Sequence, residues 1–327
     1  MTGDKVLEVD GLTIALREGG YQTRLVDSVS FDLARGETIS LVGESGCGKT
    51  MTALALMRLE PSPGVKIVAG SIRLFGQDLV PLSEVAMSTI RTRRISMIFQ
   101  DPMSALNPTM TVGKQVLEAI SAHMDLSSGA ARERAIDLLR EVRLPDPAAI
   151  FDSYPHELSG GMRQRVVIAI ALSCEPEVVV ADEPTTALDV TVQAKILRLL
   201  KDVQERRGIG IILITHDLSV VRQHSDRAVV MYAGRIAESG PTNEILRQSA
   251  HPYTKGLIGA IPGLTQLPRR RLTEVPGGVP APGTVGDECA FANRCAFRLD
   301  ICVAHRPPLT PIGEHHEAAC IRVAELA

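Results

Sequence analysis

The stretch that most constrains this chain is Gly43-Glu44-Ser45-Gly46-Cys47-Gly48-Lys49-Thr50. It follows the apolar run Thr38-Ile39-Ser40-Leu41-Val42 and precedes a helical pattern that starts near Lys49 and runs from Met51 to Leu59. Glycines at this spacing let successive backbone N–H groups turn inward around phosphate oxygens. Lys49 then reaches the β- and γ-phosphates, and Thr50 offers a hydroxyl to Mg²⁺. The helix adds its positive N-terminal end to the anion site. Strand, loop and helix in that order are the context a P-loop requires, so an α/β core is expected.

The loop alone does not separate a transporter ATPase from a GTPase, a kinase or a helicase. Bulk composition narrows the field: 327 residues, 45% hydrophobic and 22% charged, suit a soluble globular protein with one large domain and an appendage, or two domains. A net charge of −3 advertises no basic field for nucleic acid, and with no Trp and 3% aromatics a stacking platform for single strands is not expected. The opening Met1-Thr2-Gly3-Asp4-Lys5-Val6 lacks an apolar signal region, and no run approaches the ~18 apolar residues of a membrane helix. A cytosolic location is expected, with any membrane role supplied by partner subunits.

Alternation over Val6 to Leu16 and Leu25 to Leu33 predicts antiparallel strands ahead of the P-loop strand, with Tyr21 on the connection between them. That ring could stack on an adenine or be a surface tyrosine. Ile95 to Phe99 reads as a strand ending at Gln100, placed to touch Mg²⁺ or an attacking water. Thr111 to Leu144 has helical spacing, and residues 103–157 read as a helical subdomain inserted into the sheet-bearing core. Ser159-Gly160-Gly161, followed by the apolar helix Val166 to Leu172, offers a second anion-binding helix start. One nucleotide cannot use both starts within one chain unless they fold together, so the second could serve a neighbour's nucleotide.

The buried-strand run Glu177 to Ala181 ends in Asp182 and Glu183. Asp182 suits Mg²⁺ held through water, and Glu183 suits polarising a hydrolytic water. Helix Val192 to Glu205 and strand Gly210 to Thr215 follow, then His216, which could hydrogen-bond a γ-phosphate. Ala228 to Tyr232 and Arg235 to Glu238 form a hairpin through Ala233-Gly234.

The set Gly43 to Thr50, Gln100, Leu158-Ser159-Gly160-Gly161, Val178 to Glu183, Asp189 and His216, in that order, closely resembles the ATP-binding subunit of the ABC transporter superfamily over residues 5–250. GTPases, kinases and helicases lack the Ser-Gly-Gly element. The resemblance implies an ABC-type P-loop core with an antiparallel β subdomain and an inserted helical subdomain. It further implies two such subunits that sandwich two ATP molecules head to tail. Gly43, Ser45, Gly46, Cys47, Gly48, Lys49, Thr50 and Asp182 then hold phosphate and Mg²⁺. Ser159, Gly160 and Gly161 contact the partner's γ-phosphate, and Asp189 links the two sites. Gln100 senses the γ-phosphate and faces the membrane subunits, Glu183 is the general base, and His216 supports it. Cys47 stands where serine is common, and the contact there is made by its backbone N–H.

Phe99 to Pro108 and His251-Pro252-Tyr253-Thr254-Lys255-Gly256-Leu257 look like the ATPases of dipeptide, oligopeptide and nickel importers. This implies an enzyme on the cytoplasmic face of the membrane with a second ATPase subunit, usually a sister chain in a heterodimer. Two permease subunits complete the machine, and an external solute-binding protein acts indirectly. A nickel or other small-solute importer is the alternative, and a soluble ABC ATPase the more distant one. Residues 251–327 form an extension: a Pro/Gly-rich connector after Pro262 with Arg269-Arg270-Arg271, then Cys289, Cys295, Cys302 and Cys320. In a reducing cytosol such clustering favours metal or redox chemistry over disulfides. The long spacings fit zinc modules poorly, and the tail resembles that of peptide-importer ATPases, some of which carry an iron–sulfur cluster. A [4Fe–4S] cluster is therefore expected ahead of Zn²⁺ or no metal.

Overall fold

A computed structural model describes residues 4–186, 188–260 and 275–326. Arg269-Arg270-Arg271 and the first part of the connector lie outside the described residues. Twelve strands occur among them: β1 (Lys5–Glu18), β2 (Tyr21–Ala34), β3 (Thr38–Val42), β4 (Val65–Leu74), β5 (Gln77–Asp78), β6 (Ile95–Ile98), β7 (Val178–Asp182), β8 (Gly210–Thr215), β9 (Arg227–Tyr232), β10 (Arg235–Pro241), β11 (Thr310–Gly313) and β12 (His316–Ala318). The chain divides into two compact units. One runs from Pro81 to Ile212 with Ala34–Glu37 and the start of the chain; the other takes Leu7–Leu33, Thr38–Val80 and the described residues from Leu213 onward.

In the second unit an antiparallel sheet has the order β2-β1-β4-β5. Gly19 and Gly20, both at positive φ, close the β1–β2 hairpin, so Tyr21 begins β2 rather than sitting on a connecting loop. A second sheet segment runs β11-β12-β10-β9-β3. β3 pairs in parallel with β9, Ile39 opposite Arg227 and Val42 opposite Val230. All five β3 residues are buried, which explains its unbroken apolar run: a strand covered on both faces has no polar side.

The first unit contains the parallel pair β6–β7, with Ile98 opposite Ala181. Its helices Val112–His123 and Ser128–Glu141 bury Val116, Ile120, Ala135, Leu138 and Leu139. The periodic stretch predicted over 111–144 is thus two helices. Ser127 caps the second by accepting the Ala130 N–H, a local bond that starts a new helix where apolar spacing alone shows no break.

The extension is woven into the second unit. Glu238 and Ser239 of β10 pair with Ala318 and Glu317 of β12. Asp27, 6% exposed, receives the guanidinium groups of Arg235 (2.9 Å) and Arg306 (3.0 Å), and Arg235 also donates to the carbonyls of Gly286 and Glu288. Tyr253, Tyr232 and Phe291 pack as an aromatic cluster with ring centroids 4.7–5.5 Å apart. Burying the Tyr253 ring completely is worth roughly 2–3 kcal/mol.

His251 sets that ring in place. Its Nδ1 accepts the Tyr253 N–H and so caps helix Pro252–Gly259, which requires an unprotonated nitrogen. Burial pushes the ring's pKa from 6.5 down to about 4, with Glu238 pulling partly the other way. Between pH 6.5 and about 4 the unfolded chain binds a proton that the folded chain refuses. This contribution to stability is complete above pH 6.5 and is lost as pH falls through that window, by on the order of 3 kcal/mol. Thermal melts from pH 7 to 4 are expected to show the loss, and His251→Asn, which can still cap, should flatten that limb. An unchanged limb in the variant would assign the acid sensitivity to other groups.

Candidate functional site

The P-loop leaves β3 through Gly43, where a Cβ would lie 2.2 Å from the Met231 carbonyl oxygen, so no other residue fits. Gly48, at φ 104°, precedes helix Lys49–Leu56, whose first turn has no side-chain cap. The positive end of the helix dipole therefore faces the loop. Lys49 is 5% exposed, and its ammonium donates to the carbonyls of Gly43 (2.8 Å) and Glu44 (2.9 Å). Ser45, Gly46 and Thr50 are exposed beside it. Cys47 is buried, its thiol pushed up by that burial, and its carbonyl accepts the Gly234 N–H. The side chain thus serves packing and leaves the loop's outer face to backbone. Tyr21 stands 81% exposed at the start of β2, and His216 is exposed just after β8, where Asp217 caps the next helix.

The first unit carries the acids. Asp182 ends β7 and is 3% exposed. Glu183 follows at φ 43°, a left-handed conformation that a non-glycine residue adopts only when its surroundings impose it. Its Oε2 accepts from Gln100 Nε2 (3.1 Å) and from Thr186 Oγ1 (2.8 Å). The Gln100 contact follows from register: Gln100 lies two residues past Ile98 and Glu183 two past its partner Ala181. Thr186 is missing from the sequence reading; its only signal there is its position in the turn after β7, closed by the Thr186 N–H to the Glu183 carbonyl.

Ser159 is exposed and its hydroxyl accepts the Met162 N–H (3.4 Å), capping helix Gly160–Ala171. This helix begins six residues before the apolar stretch at Val166, because a serine cap outweighs the low helix propensity of two glycines. A Cβ on Gly161 would come 2.7 Å from Val192 Cγ1. Val192 in turn gives its N–H to Asp189, the cap of helix Val190–Arg207 (2.9 Å). The Ser-Gly-Gly element and Asp189 are thereby packed together through Val192.

In the tail the four thiols are half-buried, and all are free. Burial pushes Cys289 up to about 11, the nearby Cys302, Cys295 and Cys320 adding to the rise. Cys295 and Cys320 are raised by burial and by their fellow thiols in the same way. Each sulfur also receives a backbone N–H, from Phe291, Phe297, Leu299 and Arg322 in turn. Among the described residues, however, no three Cys, His, Asp or Glu side chains stand at metal-ligating spacing. The expected ligand set is therefore not assembled as a metal site among the described residues.

A family model described as "ABC transporter" matches residues 26–186, and one described as "Oligopeptide/dipeptide transporter, C-terminal region" matches 237–302. Over 317 residues the chain is 48% identical to the dipeptide transport ATP-binding protein DppD of Bacillus subtilis, covering 97% of this chain and 94% of the relative. The chain belongs to the ABC transporter ATP-binding proteins. The oligopeptide transport ATP-binding protein OppD of the same organism is 46% identical over 312 residues, 95% of this ABC ATPase and 87% of the relative. A dimeric, post-hydrolysis ATP-binding cassette bound to ADP and Pi superposes with a TM-score of 0.64 at 27% identity, over 72% of this chain and 98% of that one. The α/β fold of an ABC ATPase, with its antiparallel sheet and helices, is thus established. Among the described residues no helix of this ABC ATPase is long and apolar enough to cross a membrane.

Proposed function

We propose that this chain is the ATPase subunit of a peptide importer, held at the cytoplasmic face of the membrane by two permease subunits. The observation that carries this reading is near-full-length similarity to dipeptide and oligopeptide transport ATP-binding proteins. The nucleotide residues support it. Lys49 and the uncapped helix start bind phosphate, and Tyr21 offers an exposed ring to the base. Thr50, Asp182 and Gln100 would hold Mg²⁺ through the hard oxygen donors it prefers, and the ion would supply charge neutralisation at the phosphates. Glu183 takes a proton from the attacking water, oriented by Gln100 and Thr186, with His216 as a further γ-phosphate donor.

Ser159, Gly160 and Gly161 complete the ATP site of a second ATPase subunit, read here as a sister chain, and Asp189 couples the two sites. The exposure of Ser159 and Asp189 and the tight packing of Gly161 on Val192 support that role. The four tail cysteines are read as ligands of a [4Fe–4S] cluster with a structural role. Support comes from four thiols within electrostatic reach of one another, each facing a backbone N–H of the kind that stabilises cluster sulfurs.

The test is transport by the complex reconstituted with its permease and sister subunits. Uptake of di- or oligopeptides coupled to ATP hydrolysis is expected, and anaerobically purified complex should contain iron and acid-labile sulfide. Uptake of Ni²⁺ and not peptides would reassign the solute, and ATPase activity indifferent to the permeases would overturn the transport reading. Zinc in place of iron and sulfide would overturn the cluster.

A further inference from the structure

Glu44, the second residue of the P-loop, is anchored at every polar group it owns. Its carbonyl accepts from Lys49 within the loop (2.9 Å). Its N–H donates to the hydroxyl of Tyr253 (2.9 Å), and its carboxylate receives the Arg294 guanidinium at 3.0 and 3.2 Å. Tyr253 and Arg294 lie 209 and 250 residues further along the chain, both inside the matched C-terminal region.

Neither partner is free to swing away. Tyr253 is fully buried in the aromatic cluster. Arg294 has a side chain 7% exposed and spends its other donors on the carbonyls of Pro276 (2.7 Å) and Val275 (3.0 Å) and on the Tyr232 hydroxyl (3.3 Å). Burial opposes its charge, but the bonds to Tyr232 and Glu44 outweigh that and hold its pKa above the ordinary guanidinium value.

Two physical consequences follow. A phosphate-binding loop works by the fixed aim of successive backbone N–H groups, and a residue held at N–H, carbonyl and side chain has little freedom to re-aim its neighbours. A carboxylate on such a loop would also repel the nucleotide's phosphates, and a paired guanidinium cancels that charge at the point where it is harmful. We propose that Arg294 and Tyr253 are positioning residues of the ATP site: from the C-terminal extension they fix Glu44, set the shape of the P-loop and neutralise the one carboxylate it carries. This rests on the reading of Gly43 to Thr50 as the ATP loop.

The experiment is equilibrium titration of the full chain with Mg–ATP, with a thermal melt of each variant. Arg294→Ala is expected to weaken ATP binding about five- to tenfold, and Glu44→Gln placed in the same chain should restore most of the loss by removing the repelling charge. A purely structural role for Arg294 would not be rescued by a substitution that leaves its packing gap empty. Tyr253→Phe keeps the ring packing and is expected to weaken binding about two- to fivefold. Wild-type affinity in Arg294→Ala, or no recovery in the double variant, overturns the proposal. Should Arg294→Ala fail to fold, Tyr253→Phe decides, and wild-type affinity there overturns it. Lys49→Ala separates the two readings: if it leaves ATP affinity unchanged, the ATP-loop reading itself fails, whereas weakened binding in Lys49→Ala with unaltered Arg294→Ala and Tyr253→Phe sinks only the positioning role.

Discussion

Glu183→Gln is expected to lower ATP turnover of the assembled transporter by about 10²–10⁴-fold while leaving ATP bound. The substitution changes almost nothing in shape. A glutamine oxygen can still accept from Gln100 and Thr186, which now bond the carboxylate at 3.1 and 2.8 Å, and the turn that places residue 183 at φ 43° need not move. What it loses is the ability to take a proton. Phosphate release and retention of labelled ATP, measured on the same preparation, read the two halves of this expectation. Wild-type turnover would show that another group is the base. Thr186→Val offers a graded companion, since it removes one of the two bonds that orient the carboxylate.

Lys49→Ala is the second large effect, expected to weaken ATP binding by the full chain about 10- to 100-fold. The ammonium is buried and charge-assisted, and it ties the carbonyls of Gly43 and Glu44 at the mouth of the loop. On the proposed ATP site its loss removes a phosphate partner, and it also releases the Gly43 and Glu44 carbonyls that the ammonium holds. Calorimetric titration with Mg–ATP measures the loss, and affinity within twofold of wild type would exclude Lys49 from the site.

Much of this was readable in advance, for physical reasons that differ by element. β3 and β8 fall where apolar runs bounded by turn residues predict them, because a strand buried on both faces leaves a periodicity-free hydrophobic signature. The hairpin β9–β10 announces itself through Ala233-Gly234, both at positive φ. The start of helix Gly160–Ala171 was less legible, since its first residues are poor helix formers and their reason for being helical is the Ser159 cap. The pairing of Gln100 with Glu183 depends on β6 and β7 being neighbours, a fact of strand order that no window of sequence contains. The hold of Arg294 on Glu44 is invisible for the same reason, with 250 residues between the partners.

The strand order β11-β12-β10 has a consequence for how the molecule meets its own copies. Without the extension, β10 would present unpaired backbone donors and acceptors along Glu238 and Ser239, a template on which another chain could build. β12 occupies that position, and the sheet segment then ends on β11, a strand of four residues whose second is Pro311. Proline has no N–H to give, so further strands find little to pair with. The tail therefore finishes the sheet as well as bracing the nucleotide loop, and deleting it would trade a blunted margin for an adhesive one.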